Sequence, residues 1–339
     1  MKSEPVSRKI RWGIVGASRV ADEYVIPAIK ADDRSVVVAL GTSSAPVHAQ
    51  EIASRHGVEC VYGSVQELFN DDDVDVVYIG SASERHPDQA VAAAAAGKHV
   101  LCDKPLALTA SDAIKVIGAC QSNGVILGVN QQFRGAATHQ AMRKAILDGV
   151  LGEVRGARCA FTVQLPPHAT GWRTSGRAAG VAMDLTVHTV DTLRALLGAD
   201  VTAVAAFGAN QGLCASPNFD LLFGALHFTN GAIATFHDAF TIGHSPTALE
   251  VYGSEGSLIG TDVLRQWPGG SVVLRRGGEV TELDIEHHDL YEPVVSAFNL
   301  AVQGKGEPTA TGLDGLKALQ IAQAAVTSAQ TRQIVELAA

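Results

Sequence analysis

The sequence predicts an α/β protein with two domains, the first built on a parallel sheet and the second on a large, mostly antiparallel open sheet. The chain has 339 residues, which at roughly 150 residues per domain suggests about two domains. Short β-branched runs alternate with helical segments as far as Asn130, which is typical of βαβ units. Beyond that point, β-rich runs follow one another without helices between them, which favours antiparallel pairing. We therefore predict domains at residues 1–130 and 131–339.

The β-branched runs of the first domain are apolar almost throughout, as expected of strands that are covered on both faces. They lie at 10–15, 36–40, 58–62, 74–79, 99–102 and 125–129. Helical segments are predicted between them near 19–31, 47–56, 65–69, 87–96 and 112–123. Ser64 and Ser111 are predicted to be helix N-caps, and Pro87 fits a first helical turn.

The second domain is predicted to begin with a helix at 139–147 and to contain one strong helix at 183–197. Its strand-like runs lie at 154–165, 201–207, 221–228, 232–240, 249–252, 272–274 and 280–285. Helices at 292–302 and 315–329 close the chain. Packing of the last helix back onto the first domain is one alternative.

Composition restricts the class of partner. The 26 basic and 35 acidic residues give a net charge of −9 without a basic tract, so neither nucleic acid nor an anionic membrane is expected as a partner. No apolar stretch is long enough to span a bilayer. The five cysteines are scattered without a Cys-x-x-Cys pair, which argues against a disulfide framework or a thiolate zinc site. We expect a cytoplasmic protein that binds a small molecule.

The first predicted strand ends in the segment GIVGASRVA, residues 13–21. Read as G-x-G-x-x-G/A, this segment places Gly16, Ser18 and Ala21 at the strand-to-helix turn that binds a dinucleotide pyrophosphate. Ala21 is small enough for close helix packing, and Ser18 can donate its hydroxyl to a phosphate. An ordinary βα turn fits the same residues, because the motif alone is weak.

The segment after the second predicted strand bears on the choice between NAD and NADP. Residues 41–48 read GTSSAPVH and contain no Asp, Glu, Arg or Lys, so charge excludes neither cofactor. A 2′-phosphate meets no carboxylate there, and Ser43, Ser44 and His48 could bond to it, which leans towards NADP. Alternatively, the same serines only cap the following helix.

Residues 97–106, GKHVLCDKPL, resemble the Glu-Lys-Pro signature of the glucose-fructose oxidoreductase / inositol dehydrogenase / MocA family. Further segments agree in order and spacing, at 12–21, 180–191 with Asp184-x-x-x-His188, and 250–257. The blocks at 165–173, 184–188, 236–240 and 290–292 look similar to the anhydrofructose reductase branch of that family. The resemblance covers nearly the whole chain.

The resemblance implies a Rossmann nucleotide-binding domain followed by an α/β domain whose open sheet commonly forms a subunit interface. We therefore expect a homo-oligomer, a dimer or a tetramer. With Gly16 at the turn, the resemblance places Ala17, Ser18, Arg19 and Val20 under the pyrophosphate, and Ser43, Ser44 and His48 near the adenosine ribose. The nicotinamide half would lie beside Ser81, Ala82, Ser83, Glu84, Arg85, His86, Asp103, Lys104, Asn130, Trp172 and Arg173.

Two residues depart from the family pattern. His48 stands where the anhydrofructose reductase branch carries an arginine that grips the 2′-phosphate. An imidazole is a weaker and mostly neutral partner at pH 7, which puts the preference for NADP in doubt. Asp103 replaces the signature glutamate and is one methylene shorter, which bears on how Lys104 is held.

Reduction of a ketone by a nicotinamide requires a donor where the alkoxide develops and a source of a proton. Lys104 could supply the donor, and the resemblance suggests an unusual Lys104–Pro105 peptide bond, with cis as one option. Asp184 and His188 lie one helical turn apart, so their side chains can converge on one ligand. His188 would transfer the proton while Asp184 orients it or a substrate hydroxyl, although Lys104 is an equal candidate for the proton. Alternatively, Asp184 caps a helix and His188 packs in the core.

Trp172 and Arg173 occur in a loop flanked by glycine and proline, from which side chains can reach a cleft. A ring face suits the C–H surface of a sugar, but Trp172 could instead be a hydrophobic plug. By resemblance, Tyr291 borders the substrate. The run 287–289, His-His-Asp, is interpreted as a loop because adjacent residues diverge, and no metal is implied.

These features predict an NAD(P)-dependent oxidoreductase that interconverts a carbonyl and an alcohol on a sugar-derived or cyclitol substrate. One alternative is a redox-cycling glycosidase, because some branches of the family keep the nucleotide bound and oxidise the substrate only transiently. A second alternative is a non-catalytic nucleotide sensor. A sensor would need none of Lys104, Asp184 and His188.

Overall fold

The computed structural model describes residues 8–42 and 45–338. They form two compact units. Unit 1 contains the described residues up to Gln131 together with Tyr291–Gly315, and unit 2 contains Gln132–Leu290 and the described residues from Leu316 onwards. The segment Tyr291–Gly315 thus belongs to unit 1 by compactness, whereas the predicted domain 131–339 includes it. The functional division at residue 130 stays a prediction.

Unit 1 is built on a sheet of parallel strands in the order β3-β2-β1-β4-β5-β6. The strands are β1 (Ile10–Val15), β2 (Ser35–Gly41), β3 (Cys60–Tyr62), β4 (Val76–Ile79), β5 (His99–Asp103) and β6 (Leu127–Asn130). The strand order reverses at β1 and β4, and ligands of such sheets bind beyond the carboxyl ends of the strands at this point. The predicted parallel sheet is confirmed.

The helices of unit 1 begin and end close to the bounds predicted from the sequence. They are Ala21–Val25 running on into Ile26–Ala31, then Pro46–His56, Val65–Phe69, His86–Ala95, Ala110–Ser122 and Tyr291–Val302. Ser64 is confirmed as an N-cap, since its side chain accepts a hydrogen bond from the Gln66 N–H at 3.2 Å. The prediction for Ser111 is wrong, because Thr109 is extended and caps the next helix by accepting from the Asp112 N–H at 3.1 Å.

The helix Tyr291–Val302 belongs to unit 1 because its side chains satisfy groups in the core of that unit. Trp12 of β1 is fully buried, and its indole N–H donates to Asn299 Oδ1 at 3.1 Å. The Asn299 amide in turn donates to Asp32 at 3.0 Å and to the Ser35 hydroxyl at 3.1 Å. A buried indole N–H without a partner would be costly, so this pairing ties the late helix to the first strand.

Unit 2 is built on a sheet in the order β14-β13-β12-β11-β7-β10-β9-β8-β15. Its strands are β7 (Val154–Thr162), β8 (Val201–Ala209), β9 (Leu221–Phe228), β10 (Ile233–Ala239), β11 (Ala248–Gly253), β12 (Gly256–Thr261), β13 (Ser271–Arg276), β14 (Glu279–Glu282) and β15 (Val335–Glu336). β7 and β10 pair in parallel, and the other neighbours pair antiparallel. The predicted mostly antiparallel sheet is confirmed, although β12 and β15 were not predicted, since glycine interrupts the first and the second is only two residues long.

The helices of this part of the chain are Ala137–Leu147, Ala182–Thr186 running on into Val187–Leu197, and Gly312–Thr331. We call the continuous helix from Ala182 to Leu197 the site helix. Among the described residues, no helix combines the length and the apolar character needed to cross a membrane.

The two faces of the unit 2 sheet differ in their exposure. On β10, Ala234, Phe236 and Asp238 are fully buried, while the alternate residue Ile233 is 55% exposed. Phe207 and Phe223, which lie opposite each other on β8 and β9, are 74% and 49% exposed. One face therefore packs in the core of unit 2, and the other presents an open patch of apolar side chains.

A carboxyl group lies in the core beneath the site helix. Asp238 of β10 is fully buried, and Oδ1 accepts a hydrogen bond from the Thr189 hydroxyl of the site helix at 2.7 Å. Burial raises the pKa of Asp238 to about 7, and hydrogen bonds to the carboxylate, including that from Thr189, limit the rise. The sheet and the site helix are thus joined through a group that changes charge near neutral pH.

This carboxyl group is expected to make the stability of the protein depend on pH. The pKa of an unfolded aspartate is about 3.9, so between this value and about 7 the folded protein holds a proton that the unfolded chain has lost. The stabilisation is present at low pH and disappears as the pH rises through 7. In denaturant unfolding, the free energy of unfolding of the unsubstituted protein should fall by at most about 2–4 kcal/mol between pH 5 and 8. Asp238→Asn should remove most of this fall, because the amide does not titrate.

Thr189→Val tests the same interaction from the other side. Loss of the hydroxyl removes a donor to the ionised carboxylate, so the pKa of Asp238 should rise further and the fall in stability should move to higher pH. An Asp238→Asn variant with the same pH dependence as the unsubstituted protein would contradict the assignment.

Candidate functional site

The turn after β1 is formed by the close approach of two strand ends in unit 1. Gly16 has φ +93°, and a Cβ added there would lie 3.0 Å from the backbone of Ser81, which follows β4. The Gly16 N–H donates to the Gly41 carbonyl at 2.9 Å, and the Gly80 N–H donates to the Val15 carbonyl at 2.9 Å. Any larger residue at position 16 would clash or be strained, so this glycine is required by the backbone itself.

Ser18 starts the helix that follows this turn. Its hydroxyl oxygen accepts from the Ala21 N–H at 3.2 Å, and its carbonyl accepts from the Asp22 N–H at 3.0 Å. A hydroxyl that accepts one hydrogen bond still has its own hydrogen to donate. The glycine turn and the helix N-terminus directly after it fit a pyrophosphate, which needs close backbone approach and N–H donors. Ala17 and Val20 lie in the same turn.

The Arg19 side chain contacts other side chains of the same helix. Its guanidinium forms an ion pair with Glu23 at 2.7 Å and donates to the Tyr24 hydroxyl at 3.2 Å, and it remains largely exposed. These partners raise the pKa of the Arg19 guanidinium, the hydrogen bond that Arg19 donates to Glu23 contributing most. A phosphate near Arg19 would therefore compete with the Glu23 carboxylate for the guanidinium. The sequence analysis did not consider this pair, although its i, i+4 spacing could have predicted it.

The adenosine end of the candidate site is only partly described. Ser43 and Ser44 lie outside the described residues. His48 lies in the first turn of Pro46–His56, where Nδ1 is 3.2 Å from Glu51 Oε2 and both side chains are at least half exposed. The Glu51 carboxylate, which sequence reasoning missed, therefore gives His48 a negative neighbour.

The segment after β4 contains the residues predicted beside the nicotinamide. Ala82, Glu84 and Arg85 are exposed, Ser83 is half-buried, and the Ser81 hydroxyl donates to Gln89 Oε1 at 2.5 Å. The His86 ring is buried, with Nε2 3.0 Å from the Ser81 carbonyl oxygen and Nδ1 2.9 Å from the Pro105 carbonyl oxygen. The ring thus joins the ends of two neighbouring strands, β4 and β5, instead of presenting itself to solvent.

Asp103, Lys104 and Asn130 lie together at the carboxyl ends of β5 and β6. Asp103 Oδ1 accepts from the Lys104 N–H at 3.0 Å and from the Asn130 amide at 3.3 Å. Burial raises the pKa of the Asp103 carboxyl, and the positive charges of Lys104 and His86 oppose that rise. The peptide bond between Lys104 and Pro105 is cis. The Asp103 side chain, one methylene shorter than the signature glutamate, is therefore held in place by the backbone N–H of Lys104.

Asp184, His188 and Asp191 occur at successive turns of the site helix in unit 2. All three side chains are buried. Asp184 accepts from Arg173 Nε at 2.8 Å, and Asp191 forms a bidentate pair with Arg134 at 2.6 and 2.8 Å. Both carboxylates on this helix face are thus paired with arginines. The alternative interpretation made Asp184 a helix cap that accepts from backbone amides, but its side chain accepts from Arg173.

The His188 ring packs against two phenylalanines that also contact each other. Its centroid is 5.1 Å from that of Phe133, at an interplanar angle of 71°, and 6.3 Å from that of Phe161. Phe133 also stacks on the His139 ring at 5.7 Å. These contacts fix the orientation of the imidazole, which a proton-transfer group needs. Sequence reasoning missed Phe133, Phe161 and Arg134, whereas Asp191 could have been found from its i+7 spacing to Asp184.

Trp172 and Arg173 lie in one short helical turn, Gly171–Arg173. The Arg173 guanidinium stacks over the Trp172 ring at 4.4 Å, and that ring is 45% exposed. A half-exposed ring beside an Arg–Asp pair is not a plug of the core. It is a surface on which a sugar ring can stack, next to groups that bond to hydroxyls.

Tyr291 belongs to unit 1, where its ring is 1% exposed and stacks on Tyr24 at 5.0 Å and 17°. The residues predicted to bind substrate are thus distributed over both units, with Lys104 and Tyr291 in unit 1 and the others in unit 2. No group of three His, Cys, Asp or Glu side chains that could hold a metal ion occurs in the part of the chain that the structure describes.

Comparison with known proteins agrees with this arrangement. The family model for the NAD-binding Rossmann fold of an oxidoreductase family matches residues 10–131, and the model for the C-terminal alpha/beta domain of that family matches residues 143–337. The chain is 43% identical over 329 residues to 1,5-anhydro-D-fructose reductase from Ensifer adhaerens, which covers 96% of this chain and 98% of that protein.

More distant relatives have the same fold. Myo-inositol 2-dehydrogenase from Thermotoga maritima is 27% identical over 340 residues, covering 97% of this chain and 98% of that protein. The crystal structure of aldose-aldose oxidoreductase from Caulobacter crescentus, complexed with glycerol, matches with a TM-score of 0.90 at 24% identity, over 97% of this chain and all of the other. The resemblance that began with residues 97–106 is confirmed. The chain belongs to the Gfo/Idh/MocA oxidoreductase family and is an enzyme with an NAD-binding Rossmann domain.

Proposed function

We propose that this enzyme reduces the carbonyl of a sugar-derived substrate, with 1,5-anhydro-D-fructose as the most specific candidate, using NADPH or NADH. The observation that carries the proposal is the 43% identity to a 1,5-anhydro-D-fructose reductase over 96% of the chain. The side chains of unit 2 support it, since the pair of Arg173 with Asp184 and the half-exposed Trp172 ring suit a polyol.

Each residue of the proposed catalytic set has a distinct task. A bound nicotinamide supplies the hydride chemistry. Lys104 donates to the carbonyl oxygen and stabilises the negative charge that develops there. His188, oriented by the rings of Phe133 and Phe161, exchanges the proton of the same oxygen, and Asp184 with Arg173 orients the substrate hydroxyls. Tyr291 and Trp172 complete the proposed substrate contacts.

Lys104→Ala tests this assignment. Loss of a donor aimed at the developing alkoxide should reduce kcat by about a hundredfold or more, while the thermal shift produced by the nucleotide should remain. The measurement is the oxidation of NADPH with 1,5-anhydro-D-fructose, followed by absorbance. Lys115→Ala is the matched control, because Lys115 is exposed and pairs with Asp112 on the helix Ala110–Ser122.

The outcomes of this assay distinguish the alternatives. Unchanged turnover of Lys104→Ala would refute the role of the lysine. Release of a sugar from a glycoside without a net change in nicotinamide would instead support a redox-cycling glycosidase. Nucleotide binding without turnover of any sugar or cyclitol would support a sensor.

We propose NADP(H) as the preferred nucleotide, on the grounds that the described part of the segment after β2 has no acidic residue and His48 follows it. A nucleotide at a hundred times its dissociation constant adds about 2.7 kcal/mol to the free energy of unfolding. Titration with NAD(H) and NADP(H) should therefore give the larger thermal shift for NADP(H). His48→Arg should tighten NADP(H) about tenfold by adding a charged donor to the 2′-phosphate, without tightening NAD(H).

We also propose that the enzyme is a homo-oligomer in which a second copy covers the open face of the sheet, where Phe207 and Phe223 are neighbours and Ile233 lies further along β10. Exposed apolar side chains on one face of a sheet suit an interaction surface. Light scattering should give a dimer or a tetramer, and Phe223→Glu should lower the mass, whereas Leu147→Glu, at another exposed apolar site, should not. A monomeric unsubstituted protein would contradict the proposal.

We propose the cytoplasm as the location. The five cysteines are all free thiols in the structure, which is in keeping with a reducing compartment.

A further inference from the structure

The two nitrogens of the His86 ring both face carbonyl oxygens. Nε2 is 3.0 Å from the Ser81 oxygen, Nδ1 is 2.9 Å from the Pro105 oxygen, and the residue is 1% exposed. Backbone carbonyls only accept hydrogen bonds. A neutral imidazole has one N–H and one lone pair, so a neutral His86 would bury that lone pair against the lone pairs of one of the two carbonyls.

The neighbouring charges favour the alternative. Asp103, at the end of β5, is close enough for the charge of His86 to act on its carboxyl group, and Lys104 is the other charged group that acts there. A buried positive charge needs a negative partner and hydrogen-bond acceptors. His86 has both, since the Asp103 carboxylate supplies the charge and the two carbonyls accept its two N–H groups.

A second histidine in unit 1 provides an internal contrast. His99, at the start of β5, uses Nδ1 to accept a hydrogen bond from the Ile126 N–H at 2.9 Å. A nitrogen that accepts cannot carry a proton, so His99 is neutral with its proton on Nε2. Burial lowers the pKa of His99, in agreement with this state. His99 thus has one ring nitrogen that faces a donor, whereas both ring nitrogens of His86 face acceptors.

We propose that His86 is an imidazolium ion with a proton on each nitrogen, and that it is a positioning residue that clamps the Ser81 segment to the Lys104–Pro105 segment. The second half of this proposal rests on the proposed function of Lys104. The clamp holds the backbone directly after Lys104 in register with the turn at Gly16, because the same Ser81 backbone limits residue 16 to glycine. A neutral side chain with donors at one end only cannot replace it.

The protonation state is tested by nitrogen-15 NMR of the histidine side chains in the unsubstituted enzyme at neutral pH, with His86→Gln and His99→Gln used to assign the signals. We expect both His86 nitrogens at the chemical shifts of protonated nitrogens, and His99 with one protonated nitrogen and one unprotonated. A His86 ring with an unprotonated nitrogen overturns the proposal. This measurement does not depend on the substrate.

The positioning role is tested by kinetics of His86→Gln with NADPH and 1,5-anhydro-D-fructose. Loss of one arm of a charged clamp should lower kcat at least about tenfold, with the KM for the sugar and the affinity for NADPH nearly unchanged. His99→Gln, which loses an ordinary structural hydrogen bond, should leave kcat unchanged. An unchanged kcat in His86→Gln, or an equal loss of kcat and NADPH affinity, overturns the positioning role.

Asp103→Asn provides a second variant in case His86→Gln does not fold. Removal of the negative partner should abolish the second proton of the His86 ring in the NMR spectrum, and persistence of both protons overturns the role of Asp103 in the clamp. If the unsubstituted enzyme reduces no sugar, the proposed function fails, whereas the nitrogen signals of His86 still decide its charge.

Discussion

The carboxyl edge of the parallel sheet in unit 1 has to accommodate polar and charged groups next to strands that are mostly apolar. The ends of β1 and β4 approach so closely that residue 16 has no room for a side chain. Near the ends of the adjacent strands, Asp103 accepts from the Lys104 N–H and the Asn130 amide, and the His86 ring faces the carbonyls of Ser81 and Pro105. A polar group left unpaired at this depth costs more than a hydrogen bond gains, so each of these residues constrains the position of the next.

The site helix of unit 2 also carries buried polar side chains that need partners. Its side chains are buried on every face over most of its length, and several of the polar ones have partners in unit 2. Arg173 and Arg134 neutralise Asp184 and Asp191, while Thr189 bonds to the buried acid Asp238 below. His188 packs against the rings of Phe133 and Phe161. These contacts orient the imidazole for the proton transfer that we propose for it.

Several elements could be predicted because their signals are local. The apolar runs of β1, β2, β4 and β5 could be read from single segments, and so could the helix that carries Asp184 and His188. The N-cap at Ser111 failed for an equally local reason, since Thr109 two residues earlier offers the same chemistry. Strand β12 was missed because its glycines and serine weaken the β-branched pattern, and its partners β11 and β13 compensate only in the folded sheet.

The sequence by itself determined the order of strands and helices and the glycine turn after β1, because periodicity and spacing within a few residues define them. The segment around Lys104 was identified by its resemblance to the family signature. Only the tertiary structure decided which partners the charged side chains take. Arg173 pairs with Asp184, eleven residues further along the chain, and Asn299 lies 287 residues from the tryptophan that it satisfies. The two carbonyls around His86 come from the segments that follow two different strands, β4 and β5. Such pairings depend on which groups folding brings together in the interior. Local spacing along the sequence does not show those long-range partners.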